Sequence, residues 1–136
     1  MAAPYAIAAD LLERGSEVIV HVATKDANRN LLESRAWGLA WGGVPNVLAL
    51  SGDYPVNGAA PVFDLDSVGL LSLLEPMQQL PLGCVVTNHK RHEREVVPQY
   101  PKLRKKVRAV VRFVINQVGW HAAKMTSRCA GGSSVK

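Results

Sequence analysis

Residues 46–55 read NVLALSGDYP. Val47, Leu48, Ala49 and Leu50 form a short apolar run, and Ser51-Gly52-Asp53 ends it abruptly, so the stretch reads as a buried strand closed by a tight turn. Gly52 has no Cβ, which lets the backbone turn there or come close to another group. Asp53 then stands at the C-terminal end of the strand, the place where α/β sheets bind their ligands.

Three more stretches of the same kind flank this one. EVIVHVAT (17–24), GCVVT (83–87) and RFVINQV (112–118) are rich in β-branched residues and read as strands. Their onsets, with that of NVLAL, fall at residues 18, 47, 84 and 113, which are 29, 37 and 29 residues apart. Each interval holds one strand, one helix and two loops. Strands apolar at nearly every position predict a parallel sheet covered on both faces.

The intervals supply the helices. Asp26 is the predicted N-cap of a helix carrying Leu31, Leu32, Ala36 and Leu39 and closed by Gly42-Gly43. Asp66 is predicted to cap SVGLLSLLE, which Pro76 ends. In QYPKLRKKVRAV the pattern turns Tyr100, Leu103, Val107 and Val110 inward and the basic residues outward. YAIAADLLERG, ahead of the first strand, reads as a helix ending at Gly15. The order is α/β with four parallel strands, given right-handed crossovers. It fits either an open doubly wound sheet or an arc of a (β/α)8 barrel. Residues 1–126 are read as a single α/β domain and 127–136 as a flexible C-terminal tail.

Composition narrows the functions available. With 136 residues and 48% hydrophobic content, the chain fills one core. Cys84 and Cys129 stand far apart with no CxxC pair, which argues against a disulfide framework or a zinc site and for a reducing cytoplasm. The first residues lack the cationic start of a signal peptide, and the longest uncharged run is broken by Gly38, Gly42, Gly43 and Pro45, so no membrane span is expected. The net charge is +5, and nine of the sixteen Lys and Arg fall between Lys90 and Arg112. Such a concentration calls for an anionic neighbour, or for solvent.

The strand ends gather polar residues along one rim: His21 at the first, Asp53 after the second, Asn88, His89 and His92 after the third, Gln117 on the fourth. Taken singly, each has a plain structural role as a core histidine, a turn cap or a strand terminus. Read together, they suggest a site. A metal centre from His21, Asp53, His89 and His92 is disfavoured because Lys90 and Arg91 would repel a divalent cation. Nucleic-acid binding lacks a recognised motif and an aromatic platform beyond Tyr100. A cofactor whose phosphate meets the basic helix and whose ring meets Asp53 and Gln117 uses the most features, although no GxGxxG supports a Rossmann site.

HVATKDANRN, NVLALSGDYP, PVFDLDSVGLL and PQYPKLRKKVRAVVRFVINQ, in that order, resemble the methylenetetrahydrofolate reductase family over roughly Val18 to Trp120. The resemblance implies a partial (β/α)8 (TIM-type) barrel with FAD at the C-terminal ends of the strands. It implies NAD(P)H as co-substrate and hydride transfer through the flavin to 5,10-methylenetetrahydrofolate, in one-carbon metabolism and methionine biosynthesis. Carried across by motif, His21, Ser51, Gly52, Asp53 and Lys106 would bind the cofactor, with either His89 or His92 as a further contact. Asp53 would tune the flavin, and Gln117 would meet folate or nicotinamide.

The sequence departs from the family pattern at Ser51, at Thr87-Asn88-His89 and at Val110-Val111. The match spans the third to sixth barrel strands, so the first strand with its general-acid glutamate has no counterpart. Weak turnover of the chain alone, and a homo-oligomer or a complementing chain, are therefore expected. The reading from a different class is a non-enzymatic α/β protein whose basic helix binds anions or a partner protein.

Overall fold

The computed structural model describes residues 4–52, 60, 62–77, 82–86, 97–108 and 111–116. One sheet holds four parallel strands in chain order: β1 (Ile19–Ala23), β2 (Asn46–Leu50), β3 (Leu82–Val86) and β4 (Val111–Asn116). Helix α1 (Pro4–Glu13) precedes β1, and α2 (Arg29–Trp41), α3 (Ser67–Leu74) and α4 (Gln99–Arg108) each lead to the next strand. The four apolar runs named from the sequence all become strands, and the chain is α/β.

Local signals account for the helix ends. At the end of α1, Gly15 is left-handed (φ 79°), the Gly15 N–H donates to the Leu12 carbonyl, and the Ser16 N–H donates to that of Leu11. The same pair of bonds closes α2, from Gly43 (φ 64°) to Ala40 and from Val44 to Leu39. This is the Schellman arrangement, and at α2 it ends on two buried apolar residues, Leu39 and Val44. Asp66 caps α3 as expected, accepting from the Val68 and Gly69 N–H groups at 3.1 and 2.8 Å.

The register assigns the faces of the sheet. Val20, Val47, Leu82 and Val111 are lateral partners. With Val22, Ala49 and Cys84 they pack into one cluster with Ala8, Leu32, Ala36, Leu39, Leu70, Leu71, Leu74 and Leu103 of the four helices. The alternate residues His21, Leu48, Gly83 and Phe113 are partners in the next row and look the other way. Phe113 lies over Gly83, in the space a Cβ would take.

Among the described residues the helices pack on one face; on the other face His21 is exposed and Ile19 and Ile115 are 47% and 38% exposed, while Leu48 there is buried. Two expectations are corrected. The N-cap of α2 is Asn28, whose side chain accepts from the Leu31 N–H, while Asp26 takes another role. In α4 the inward residues are Leu103 and Lys106, with Tyr100 and Val107 exposed; Val110 lies outside the described residues. Leu103 and Lys106 stand three apart on one face, and the stripe drawn through Tyr100 and Val107 lies to its side.

No helix among the described residues is long and apolar enough to cross a membrane.

Candidate functional site

The best-defined rim lies at the C-terminal ends of β1 and β2. The ladder between them runs past the strands: the Thr24 N–H donates to the Leu50 carbonyl at 3.0 Å and the Lys25 N–H to that of Ser51 at 3.2 Å. The buried Thr24 hydroxyl also donates to the Ser51 carbonyl, at 3.2 Å. Ser51 is thus fixed through its backbone.

Gly52 follows in the left-handed region, with φ 83°. A Cβ on Gly52 would meet Lys25 Cβ at 2.8 Å and Lys25 Cδ at 3.5 Å. Glycine is therefore required twice over, for its dihedral and for the close approach of the Lys25 stem. Ala23 Cβ lies 3.7 Å from the same point, so Ala23 and the Lys25 stem crowd one side of Gly52. The sequence reading had assigned close approach to Gly52, and Lys25 is the group that approaches.

Asp26 turns the chain. It is left-handed (φ 57°), a conformation that Asp tolerates better than most residues. Its N–H donates to the Val62 carbonyl at 2.7 Å, and its Oδ1 accepts from the Val62 N–H at 3.2 Å. The Asp64 carboxylate then accepts from the Arg29 N–H at 2.7 Å, in the first turn of α2. Residues 62–64 are thereby pinned across the start of α2. Asp26 Oδ2 stands 3.6 Å from Lys25 Nζ.

His21, in the middle of β1, is exposed on the helix-free face. Lys106 is placed differently: it is 8% exposed, beneath α4 and in electrostatic reach of the buried Cys84 thiol. Burial pushes the Lys106 pKa down, as does neighbouring Lys102, while Cys84 and Asp66 oppose the shift. Burial pushes the Cys84 thiol up, against the opposing pull of Lys106. Cys84 belongs to the helix-packed cluster, so His21 and Lys106 lie on opposite sides of the sheet. The structure brings Ser51 and Gly52 to the C-terminal end of β2, leaves His21 in mid-strand on the face opposite the described helices, and does not bring Lys106 to them. Asp53, His89, His92 and Gln117 lie outside the described residues, as does Cys129.

Lys25, Asp26 and Asp64 were missed as rim residues. The signal for Lys25 was present, since His21, Ala23 and Lys25 alternate at the spacing of one strand face. Among the described residues no group of three or more His, Cys, Asp and Glu could hold a metal ion. A separate groove of about 400 Å³, bordered by Arg29, Trp37, Leu65 and Met77, lies between α2 and α3. No protein-family model matches the chain, and neither does any curated protein.

Proposed function

We propose that the chain is a methylenetetrahydrofolate-reductase-like flavin oxidoreductase built on an arc of a (β/α)8 barrel. The observation that carries this reading is Gly52: a left-handed glycine, closed against Lys25, at the end of β2 on the helix-free face. Chain-order strands with helices packed on one face suit an arc of a barrel. A tight glycine turn at its mouth, with His21 exposed on the face opposite the described helices, suits a planar cofactor lying over the strand ends.

The resemblance makes FAD the cofactor of this reading, with His21, Ser51 and Gly52 as the described residues that would meet its ring. When bound, the cofactor supplies the acceptance of hydride from NAD(P)H and its delivery to 5,10-methylenetetrahydrofolate. The chain's own part is to bind and orient. Gly52 lets the Lys25 stem close against the turn, and His21, Ser51 and Asp53 would contact the flavin. Gln117 would orient the substrate. A cytoplasmic location accompanies this reading.

The test is an FAD titration of the purified chain, followed by flavin absorbance and fluorescence with the mass in solution measured alongside. Saturable binding that Asp53→Ala weakens is the expected result. Absence of binding to a cooperatively folded chain would overturn the reading.

A second reading is favoured by α4. That helix carries Lys102, Arg104, Lys105, Lys106 and Arg108 and no acidic residue, so its charge equals the +5 of the whole chain. A protein that binds anions or an acidic partner through α4 would show binding that weakens steeply with salt and is indifferent to Asp53→Ala.

A further inference from the structure

We propose that two copies of the chain close head to tail, the β4 and α4 edge of each against the β1 and α1 edge of the other, into a ring of parallel strands with the helices outside. Only the order of the strands and the placing of the helices are needed for this, so it is independent of the flavin reading.

Among the described residues β1 and β4 are the edges of the sheet, and in the helix layer α1 packs beside α2 and α4 beside α3. Exposed apolar side chains line both edges, in both layers. In α1, Ala8 and Leu12 pack into the core and Tyr5 lies against Gly38 of α2. Ile7 and Leu11, four residues apart, form the opposite flank and are 52% and 39% exposed. Ile19 of β1 is exposed on the same edge.

The other edge is built alike. In α4, Leu103 and Lys106 face the core, and Lys102 stands 4.0 Å from Asp66 at the start of α3. Tyr100 and Val107 take the flank turned from α3, and both are exposed. Val114 of β4 is paired with the buried Cys84, on the helix side of the sheet, yet is 43% exposed; Ile115 is exposed on the other side.

An edge strand with apolar side chains is a template for another strand, and direction and charge select which one. A twofold axis along the strands joins β4 to the partner's β1 in parallel, as the strands pair within the chain, and keeps both helix layers outside. Like edges with their helices on one side would instead run antiparallel. Pairing β4 with β4 would set α4 against α4, five cations against five. Helix α1 holds Asp10 and Glu13 and no cation, so α4 meets a helix of opposite charge when it packs on the partner's α1. Asp10 is already tied to Arg14, just past that helix, at 3.1 Å. Selection therefore comes more from the repulsion in the wrong pairing than from a new ion pair. Four strands from each copy give the eight with which side chains fill a barrel's interior, and closure makes the junction twice in one dimer.

The mass in solution is measured by sedimentation equilibrium over a concentration series for the unmodified chain, Val107→Asp and Trp41→Asp. Trp41, 94% exposed at the end of α2, lies on neither edge and controls for general stickiness. Twice the 14.7 kDa chain mass is expected, unchanged in Trp41→Asp, with a dissociation constant about tenfold higher in Val107→Asp. Orientation is read with a short bis-maleimide on Ile7→Cys and Val107→Cys chains, each also carrying Cys129→Ser; Cys84 is buried. The mixed chains should give a covalent dimer joined between positions 7 and 107, and neither chain should link to itself.

A monomer at every concentration would overturn the proposal, as would masses that climb past the dimer or equal dissociation of the two Asp variants. Linkage of either cysteine chain to itself would overturn it by showing like edges paired. A monomer that binds FAD would leave the flavin reading standing, and a dimer linked between positions 7 and 107 that binds no flavin would leave this one.

Discussion

Gly52→Ala tests the geometry of the rim most directly, because the same chain carries an internal control. Gly43 and Gly52 are both left-handed, with φ 64° and 83°, but a Cβ on Gly43 meets nothing within 4 Å, whereas one on Gly52 meets Lys25 Cβ at 2.8 Å. Alanine in the left-handed region costs about 1–2 kcal/mol at either position. At Gly52 a second cost is added, because the obstructing carbon is attached directly to a backbone held by the ladder. Lys25 Cβ cannot rotate away, so β1 and β2 must separate locally, an overpacking cost of about 1–3 kcal/mol. Gly52→Ala should therefore destabilise by about 2–5 kcal/mol and Gly43→Ala by about 1–2. A domain of this size holds on the order of 7–20 kcal/mol in all, so the first change is large and the second modest. In urea, with a slope of about 2 kcal/mol/M, the midpoints should fall by about 1–2.5 M and about 0.5–1 M at unchanged slope. If Gly52→Ala lowered the midpoint no more than Gly43→Ala, Lys25 would not be packed against Gly52, and the account of the rim would be refuted.

Other substitutions probe the elements around it. Asp26→Ala should cost about 2 kcal/mol, for the lost Val62 bond and for alanine at φ 57°. Asp26→Asn should be milder, because it keeps an acceptor and tolerates the left-handed region, and thermal melts would rank the two. Asp66→Ala should cost more than Asn28→Ala, each within the range of about 0.5–2 kcal/mol for a lost N-cap, because Asp66 holds two N–H groups and Asn28 one; circular dichroism with urea titration checks the order. Gly83→Ala should displace the Phe113 ring from its seat and destabilise the chain, and combination with Phe113→Ala should cost less than the sum of the two changes, as a double-mutant cycle would show.

The strands were legible because their signal is local. Four short β-branched runs at a steady interval became β1 to β4 with ends within two residues of the sequence reading. Asp66 and Gly42-Gly43 were legible for the same reason, since cap chemistry acts within one turn. The capping of α2 was not. Asp26 and Asn28 are two candidates two residues apart, and a bond to Val62, 36 residues away, draws Asp26 into a turn and leaves the cap to Asn28. The packed side of α4 was misread because three apolar residues at helical spacing outweighed a lysine, and only Cys84 and Asp66, brought in from other elements, make that lysine's position intelligible. The exposure on the face opposite the described helices was hidden by the apolarity of β2 and β3; its polar signs were His21 in β1 and Asn46 at the start of β2.

Lys106 decides how far any cofactor extends. Beneath α4, on the helix side of the sheet, it is well placed to seat the helix on Cys84 and Asp66, whereas the resemblance gives it the FAD phosphates. pH separates these roles. Burial lowers the Lys106 pKa in the folded chain from its ordinary 10.5. Between the folded and the unfolded pKa the unfolded chain holds more protons, so this residue makes stability rise with pH. The penalty is full below the folded pKa and gone above the unfolded one. Cys84 acts oppositely: its raised pKa keeps the proton on in the folded chain, so stability falls as pH climbs above 9.0. The difference in unfolding free energy between the unmodified chain and Lys106→Met cancels most of the Cys84 contribution. That difference should move in favour of the unmodified chain as pH rises from 7 towards 10.5. A flat difference would mean that Lys106 is not desolvated beneath α4. If the pH effect is present and Lys106→Met binds FAD and riboflavin as before, Lys106 serves the fold alone. If FAD binding weakens while riboflavin binding holds, the phosphates reach round the rim to α4, and one ligand draws on both sides of the sheet.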